Sequence, residues 1–266
     1  MTFQNKKVVI TGASPDFGQS LAILFAKMGA ELFLSARTLE KAEATAALVR
    51  SVAPAKVHTF QANVSKADEI ARFAADVNAI TPEVDILINN ASLWLPGRFS
   101  EVSDVELMET ISSTATGSIL ITKYFLPLIE KSSTPDIVFV NSSASLPGNS
   151  HPTVNEAFSA AKAAQSTFAD RLRYRLKGRG IRVISIYPPN FDHPSPLDEQ
   201  AWNEQRGHTE LHYQTARNIF ECIRFSLAQD RVCSIDKMIL SNNNASAAEV
   251  LEPRKISCPR IYSASS

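Results

Sequence analysis

Phe158 and Lys162 stand four residues apart in the run Asn155-Glu156-Ala157-Phe158-Ser159-Ala160-Ala161-Lys162. On a helix that spacing places both side chains on one face. A phenol at position 158 would lie beside the Lys162 ammonium, which would lower its pKa and let it pass a proton to a bound substrate. The phenyl ring of Phe158 has no proton to pass. A second group with chemical potential is Thr11-Gly12-Ala13-Ser14-Pro15-Asp16-Phe17-Gly18, between the apolar run Val8-Val9-Ile10 and a helical pattern. A strand–turn–helix of this kind sets backbone N–H groups and a helix N-terminus against a pyrophosphate. The Asp16 carboxylate would stand near that diphosphate, where like charge repels. Further along, Asn89-Asn90-Ala91-Ser92 and Asn141-Ser142-Ser143 each follow an apolar run.

The elements that must position these groups follow from periodicity. Short apolar runs at Val8–Ile10, Glu31–Ser35, Val57–Phe60, Val84–Asn89, Ile137–Val140, Arg182–Tyr187 and Val232–Leu240 read as strands. Helical patterns lie between them: Leu21 to Met28 ending at Gly29, Thr38–Arg50, Ser65–Ala79, Ser103–Glu130, about 154–177 and about 215–229. Ser65 with Asp68 three residues on predicts a near capping box. Continuous apolar strands alternating with helices predict an α/β fold with a parallel sheet covered on both faces. Residues 1–241 read as a single domain. Within it 190–212 is a long Pro- and His-bearing loop with a short helix near Trp202, a length common in binding lids. Residues 242–266 are polar with weak periodicity and read as a tail, either disordered or an oligomer arm.

These motifs resemble those of the classical short-chain dehydrogenase/reductase family over roughly residues 6–241. The resemblance implies a Rossmann-like doubly wound sheet of about seven strands and a nicotinamide dinucleotide cofactor. It assigns Gly12, Ser14, Asp16, Phe17 and Gly18 to the pyrophosphate turn, where Asp16 replaces the middle glycine. It assigns Arg37, Asn63 and Val64 to the adenine side, and Asn90, Ala91, Lys162 and Pro188 to the remainder of the cofactor. The second strand ends in Ser35-Ala36-Arg37-Thr38 with no acid for ribose hydroxyls, and Arg37 suits a 2′-phosphate. NADP(H) is therefore expected over NAD(H), with binding weakened by Asp16. Asn63 stands where the family has Asp, and its amide oxygen can accept from the adenine amino group.

At the reaction site the resemblance makes Ser142 the substrate-orienting serine, with Ser143 as the alternative. Phe158 replaces the family's tyrosine, and Lys162 would hold the nicotinamide ribose. Thr114 replaces a catalytic asparagine that anchors a water. Ser92 and Pro189 replace glycines. Tyr187 and His151 rank first as substitute acids, ahead of His193, Asp192 and Tyr213. Phe191, Leu197 and Trp202 in the lid suggest a partly apolar ligand.

Composition narrows the class. Lys+Arg and Asp+Glu are both 27, so no basic excess argues for nucleic acid or an anionic membrane surface. No apolar run reaches the ~18 residues of a membrane span. A polar Met1–Lys7 segment leads into the first strand, which predicts no secretory signal. Cys222, Cys233 and Cys258 lack metal spacing, so reduced thiols in a cytoplasmic protein are expected. The expected partners are a small-molecule substrate and further copies of the chain, as a homodimer or homotetramer packed through helices 103–130 and 154–177. Three functions compete: an NADP(H)-dependent oxidoreductase with a rebuilt proton relay, a nucleotide-binding or interaction module, and a non-redox enzyme on the same fold.

Overall fold

The computed structural model describes residues 2–148, 154–206 and 213–243. Seven strands form one parallel sheet: β1 (Lys7–Thr11), β2 (Glu31–Ala36), β3 (Val57–Gln61), β4 (Ile86–Asn89), β5 (Asp136–Val140), β6 (Arg182–Tyr187) and β9 (Lys237–Ile239). Their order is β3-β2-β1-β4-β5-β6-β9. The chain reverses its direction of travel across the sheet between β1 and β4, the switch point at which open α/β sheets bind ligands. Two further short strands, β7 (Phe191–Asp192) and β8 (Gln214–Thr215), pair with each other outside the sheet.

The two-residue period of the strands divides the core. Val8 and Ile10 of β1, Leu32 and Leu34 of β2, and Val138 and Val140 of β5 face one layer, with α1 (Phe17–Lys27) and α8 (Ala216–Leu227). Val9, Phe33, Ile137 and Phe139 face the other, with α3 (Ala67–Ile80), α5 (Gly117–Ile129) and α6 (Glu156–Leu176). Phe25 meets Phe220 edge-on in the first layer, and Phe60, Phe73 and Phe125 interlock in the second. The remaining helices are α2 (Leu39–Val52), α4 (Asp104–Ile111) and α7 (Glu199–Asn203). The last of these is the expected short helix near Trp202.

Three expected elements differ in detail. Ser65 does not cap α3: the helix begins at Ala67, and the Ser65 hydroxyl is buried without a hydrogen-bond partner. No side chain caps α3, and Asn63 instead braces the turn before it. Its Oδ1 accepts from the Ser65 N–H at 3.0 Å, and Glu69 reaches back to the Asn63 N–H at 2.8 Å. The helix expected over 103–130 runs through, but Ser112–Thr116 forms a π-helical turn between α4 and α5, a device often found at functional sites. The last strand is confined to Lys237–Ile239, because Asp230 to Cys233 turns and Val232 is fully exposed. Most of the expected tail, from residue 244, lies outside the described residues, as does Cys258. Among the described residues no helix is long and apolar enough to cross a membrane, and no cluster could hold a metal ion.

Candidate functional site

Every parallel strand ends at the same edge of the sheet, and the sequence-predicted residues follow those ends. Thr11 closes β1 and fastens it to the turn after β4. Its hydroxyl accepts from the N–H groups of Asn90 and Ala91, both at 3.1 Å, and donates to the Ile88 carbonyl at 3.2 Å. The Asn90 amide returns two bonds, to the carbonyls of Thr11 at 3.1 Å and Gly12 at 3.2 Å. Asn90 therefore braces the turn with its side chain. Gly12 has φ of +67°, and a Cβ there would stand 2.9 Å from the Ala91 backbone. A Cβ on Gly18 would stand 2.0 Å from the Gly12 carbonyl oxygen. Only glycine fits either position. The result is a rigid cradle opening at the N-terminus of α1, with Ser14 half-buried and Phe17 buried along it.

Asp16 stands at the mouth of that cradle. It is the N-cap of α1, and its carboxylate accepts from the Phe17 N–H at 2.7 Å. Its φ of 145° and ψ of −154° lie in a region that glycine alone adopts easily. The same carboxylate oxygen meets His193 Nδ1 at 2.8 Å. Desolvation at the turn pushes the Asp16 carboxyl up, but the His193 hydrogen bond and charge, with the Phe17 N–H, hold it below its ordinary value. The carboxylate expected to repel a diphosphate is thus hydrogen-bonded to a side chain from the 190–212 segment.

On the adenine side, Arg37 is exposed after β2 and pairs with Glu109 at 3.5 Å. Asn63 and Val64 follow β3 half-buried. The Asn63 amide oxygen already accepts from Ser65, which leaves one lone pair for a ligand. Gly117 is pressed against the Val64 carbonyl: a Cβ there would come within 2.5 Å of it, so this turn is seated on the start of α5.

The reaction side is organised around α6. Asn155 caps it through the Ala157 N–H at 2.9 Å and holds the Gly97 carbonyl at 3.2 Å, pinning segment 94–97 to the helix start. Phe158 is buried in an apolar cluster with Leu95, Ala157, Leu107 and Ala144. The Trp94 ring closes over it edge-on at 4.9 Å. Lys162, one turn on, has its ammonium 5.9 Å from the Phe158 ring centre. It donates to the Val140 carbonyl at 2.7 Å and to Gln165 Oε1 at 3.2 Å. Burial without a carboxylate lowers its pKa to about 7. Gln165 continues to the Thr114 carbonyl at 3.4 Å, and the Thr114 hydroxyl meets Ser92 at 2.9 Å. Ser92 and Thr114, two departures from the family pattern, are thus direct partners. Ser142 follows β5 half-buried, its hydroxyl accepting from the Ala144 N–H at 3.2 Å. Ser143 is buried beside it and donates its N–H to the Pro188 carbonyl at 2.9 Å, which ties the ends of β5 and β6 together.

The substitute acids fare differently. Tyr187 is wholly buried, and its hydroxyl is taken by Ser166 at 2.8 Å. It faces α6 from inside the sheet and cannot reach a carbonyl at the edge. His193 is held by Asp16, and Asp192 by Arg206. His151 lies outside the described residues. The lid's Phe191, Leu197 and Trp202 pack on the core layer with α1 and α8 and do not line the reaction side. Trp94 and Phe158 supply apolar surface there instead. Trp94 and Gln165 carried no motif signal; only their spacing from Asn90 and Lys162 marks them.

A dinucleotide suits this turn, because its close backbone packing at Gly12 and Gly18 sets the N-terminus of α1 at the sheet edge, where helix N–H groups favour a pyrophosphate. A family model described as short chain dehydrogenase matches residues 6–205. A Thermotoga maritima protein described as an uncharacterized oxidoreductase is 30% identical over 188 residues, 71% of this chain and 72% of that protein. The 11-beta-hydroxysteroid dehydrogenase 1A of Arabidopsis thaliana is 32% identical over 184 residues, 69% of this chain and 51% of the plant protein. The chain therefore spans about half the length of that relative. Two solved structures share the fold. A metagenomic short-chain oxidoreductase in complex with NADP has a TM-score of 0.73 at 20% identity, covering 90% of this chain and 98% of its own. An alcohol dehydrogenase from the archaeon Thermococcus sibiricus, complexed with 5-hydroxy-NADP, has a TM-score of 0.76 at 22% identity, covering 90% and 97%. From the glycine cradle to the lysine on α6, this chain belongs to the short-chain dehydrogenase/reductase family.

Proposed function

We propose that this protein is an NADP(H)-dependent oxidoreductase acting on a small carbonyl or alcohol, with a proton route that bypasses position 158. The observation that carries the reading is the turn itself: Thr11, Gly12, Gly18 and Asn90 are locked by hydrogen bonds and close contacts into a strand–turn–helix that opens at the N-terminus of α1, the place a pyrophosphate favours. Arg37, exposed after β2 with no acid on its own turn, supports the 2′-phosphate form. Two proteins of the same fold are described with NADP or 5-hydroxy-NADP bound.

The cofactor, when bound, supplies or accepts the hydride. The chain's own residues do the rest. Ser142 accepts the Ala144 N–H, so its own proton is left to donate to a substrate oxygen. Trp94 and Phe158 exclude water from one wall. Lys162 supplies a buried amine whose charge is balanced between two states near neutrality. The proton that a phenol would give comes from water or from the substrate's own group.

Titration with NADPH, NADP and NADH, followed through tryptophan fluorescence, tests the reading. NADPH is expected to bind more tightly than NADH and to be consumed with a carbonyl panel. Failure of all three to bind would sink it. A second reading, a binding module without turnover, is favoured by one observation: Phe158 is buried beneath Trp94 in a cluster of apolar side chains. Tight NADPH binding with no turnover on any carbonyl would select it.

A further inference from the structure

The segment that enters the lid is fastened to the turn before α1 at two points. His193 meets the Asp16 carboxylate at 2.8 Å. Phe191 meets Phe17 edge-on, with ring centres 5.3 Å apart. Phe191 also lies against the His193 ring at 4.5 Å, so the two lid residues bear on the turn together. Behind them, β7 pairs with β8, and Arg206 holds both Asp192 and the Tyr213 carbonyl. The contact at Asp16 is thus tied through β7 to β8 and Arg206.

An exposed ion pair alone contributes little, and three features set this one apart. The Asp16 oxygen that meets His193 is the one that accepts the Phe17 N–H, the first free donor of α1. Asp16 keeps a backbone conformation costly for any residue but glycine. Phe17 and Phe191, on either side of the pair, pack on one core layer, so the pair sits above buried contact.

We propose that the Asp16–His193 pair is a latch that holds the lid across the dinucleotide cleft, and that the Asp16 carboxylate is a resident anion which an incoming pyrophosphate must displace from the N-terminus of α1. This rests on the reading of the cleft as a dinucleotide site. Asp16 is then the residue that sets how strongly the cofactor must compete, and lid opening is coupled to its entry.

Two variants of the full chain test this. Asp16→Ser keeps a capping oxygen but carries no charge and is too short to reach His193. His193→Leu keeps bulk against Phe191 and removes the donor. Amide exchange over residues 191–193, read by mass spectrometry without ligand, is expected to rise several-fold in both variants. NADPH affinity is expected to rise about tenfold in Asp16→Ser and by clearly less in His193→Leu, which releases the latch but leaves the carboxylate in place. Unchanged exchange in either variant would overturn the latch, whether or not any dinucleotide binds. Unchanged affinity in Asp16→Ser, or an equal gain in both variants, would overturn the role of Asp16 as resident anion. Faster exchange with no dinucleotide bound by any of the three proteins would uphold the latch and overturn the cofactor reading.

Discussion

At the scale of single residues, the site turns on an amine without its phenol. Lys162 is buried with two neutral acceptors, the Val140 carbonyl and Gln165. Its pKa of about 7 lies far below the ~10.4 of an unfolded lysine. Between those values the unfolded chain binds the extra proton, so stability rises with pH through that window and is lowest at and below neutrality. Lys162→Met removes the titration. Urea unfolding between pH 7.5 and 9.5 is expected to show the wild type gaining up to ~1.4 kcal/mol per pH unit over the variant. Parallel pH profiles would mean that Lys162 is charged in the folded protein. The slope is the readout, because the variant also strands the Val140 carbonyl and loses absolute stability for that reason. Phe158→Tyr tests the same pair from the other side. A phenol oxygen on that ring would enter an apolar cluster within reach of a lysine that is half neutral at pH 7. Carbonyl reduction is expected to rise about 100-fold, the lower end of what a positioned acid contributes. A gain below tenfold would show that the Ser92–Thr114 contact and Pro189 have already remodelled the site.

At the scale of elements, the two edges of the sheet divide stability from chemistry. Asp136 and Arg182 open β5 and β6 in register with each other, at the edge away from the cradle. They form a buried two-bonded pair at 2.8 Å and 2.8 Å, and Arg231 adds a third bond to Asp136 at 2.7 Å. Asp136→Asn leaves a buried guanidinium short of its counter-charge, an uncompensated charge of the kind that costs about 3 kcal/mol or more. Urea denaturation is expected to show that loss while NADPH affinity is unchanged. A coupled fall in affinity would mean that the edges are not separate. Much of this architecture was legible. The apolar strand runs, Gly12, Gly18 and Asn90 are local signals, because each strand or turn needs those residue types within a few positions. Tyr187 was legible in principle and misread: the two-residue period puts it on the face of Val183 and Ser185, towards α6, where Ser166 holds it. Ser65 misled because its own N–H is taken by Asn63 and the helix begins two residues later, at Ala67. The Asp16–His193 contact joins residues far apart in the chain and leaves no trace in either segment alone.

At the scale of the whole molecule, the outer surface of the long helices is unlike a solvated face. Val105, Met108 and Ile111 of α4 are exposed on one helical stripe, and Ile119 and Tyr124 of α5 continue the apolar surface. On α6 the outward positions Ala160, Ala164 and Thr167 are small, which lets another helix approach closely. A formal net charge of zero removes long-range repulsion between copies. These features fit the homodimer or homotetramer expected from the family resemblance, with the helix pairs related by a two-fold axis. Such an interface is isologous, so one substitution acts on both partners and can bring two like charges into the same buried patch. Val105→Glu with Met108→Glu places up to four carboxylates there, and desolvating them unpaired is far costlier than the apolar contact they replace. Light scattering is expected to give at least the mass of a dimer for the wild type and that of a monomer for the double variant. A monomeric wild type would refute the assembly outright. A double variant that stays dimeric would move the interface off α4 and onto another face of the molecule.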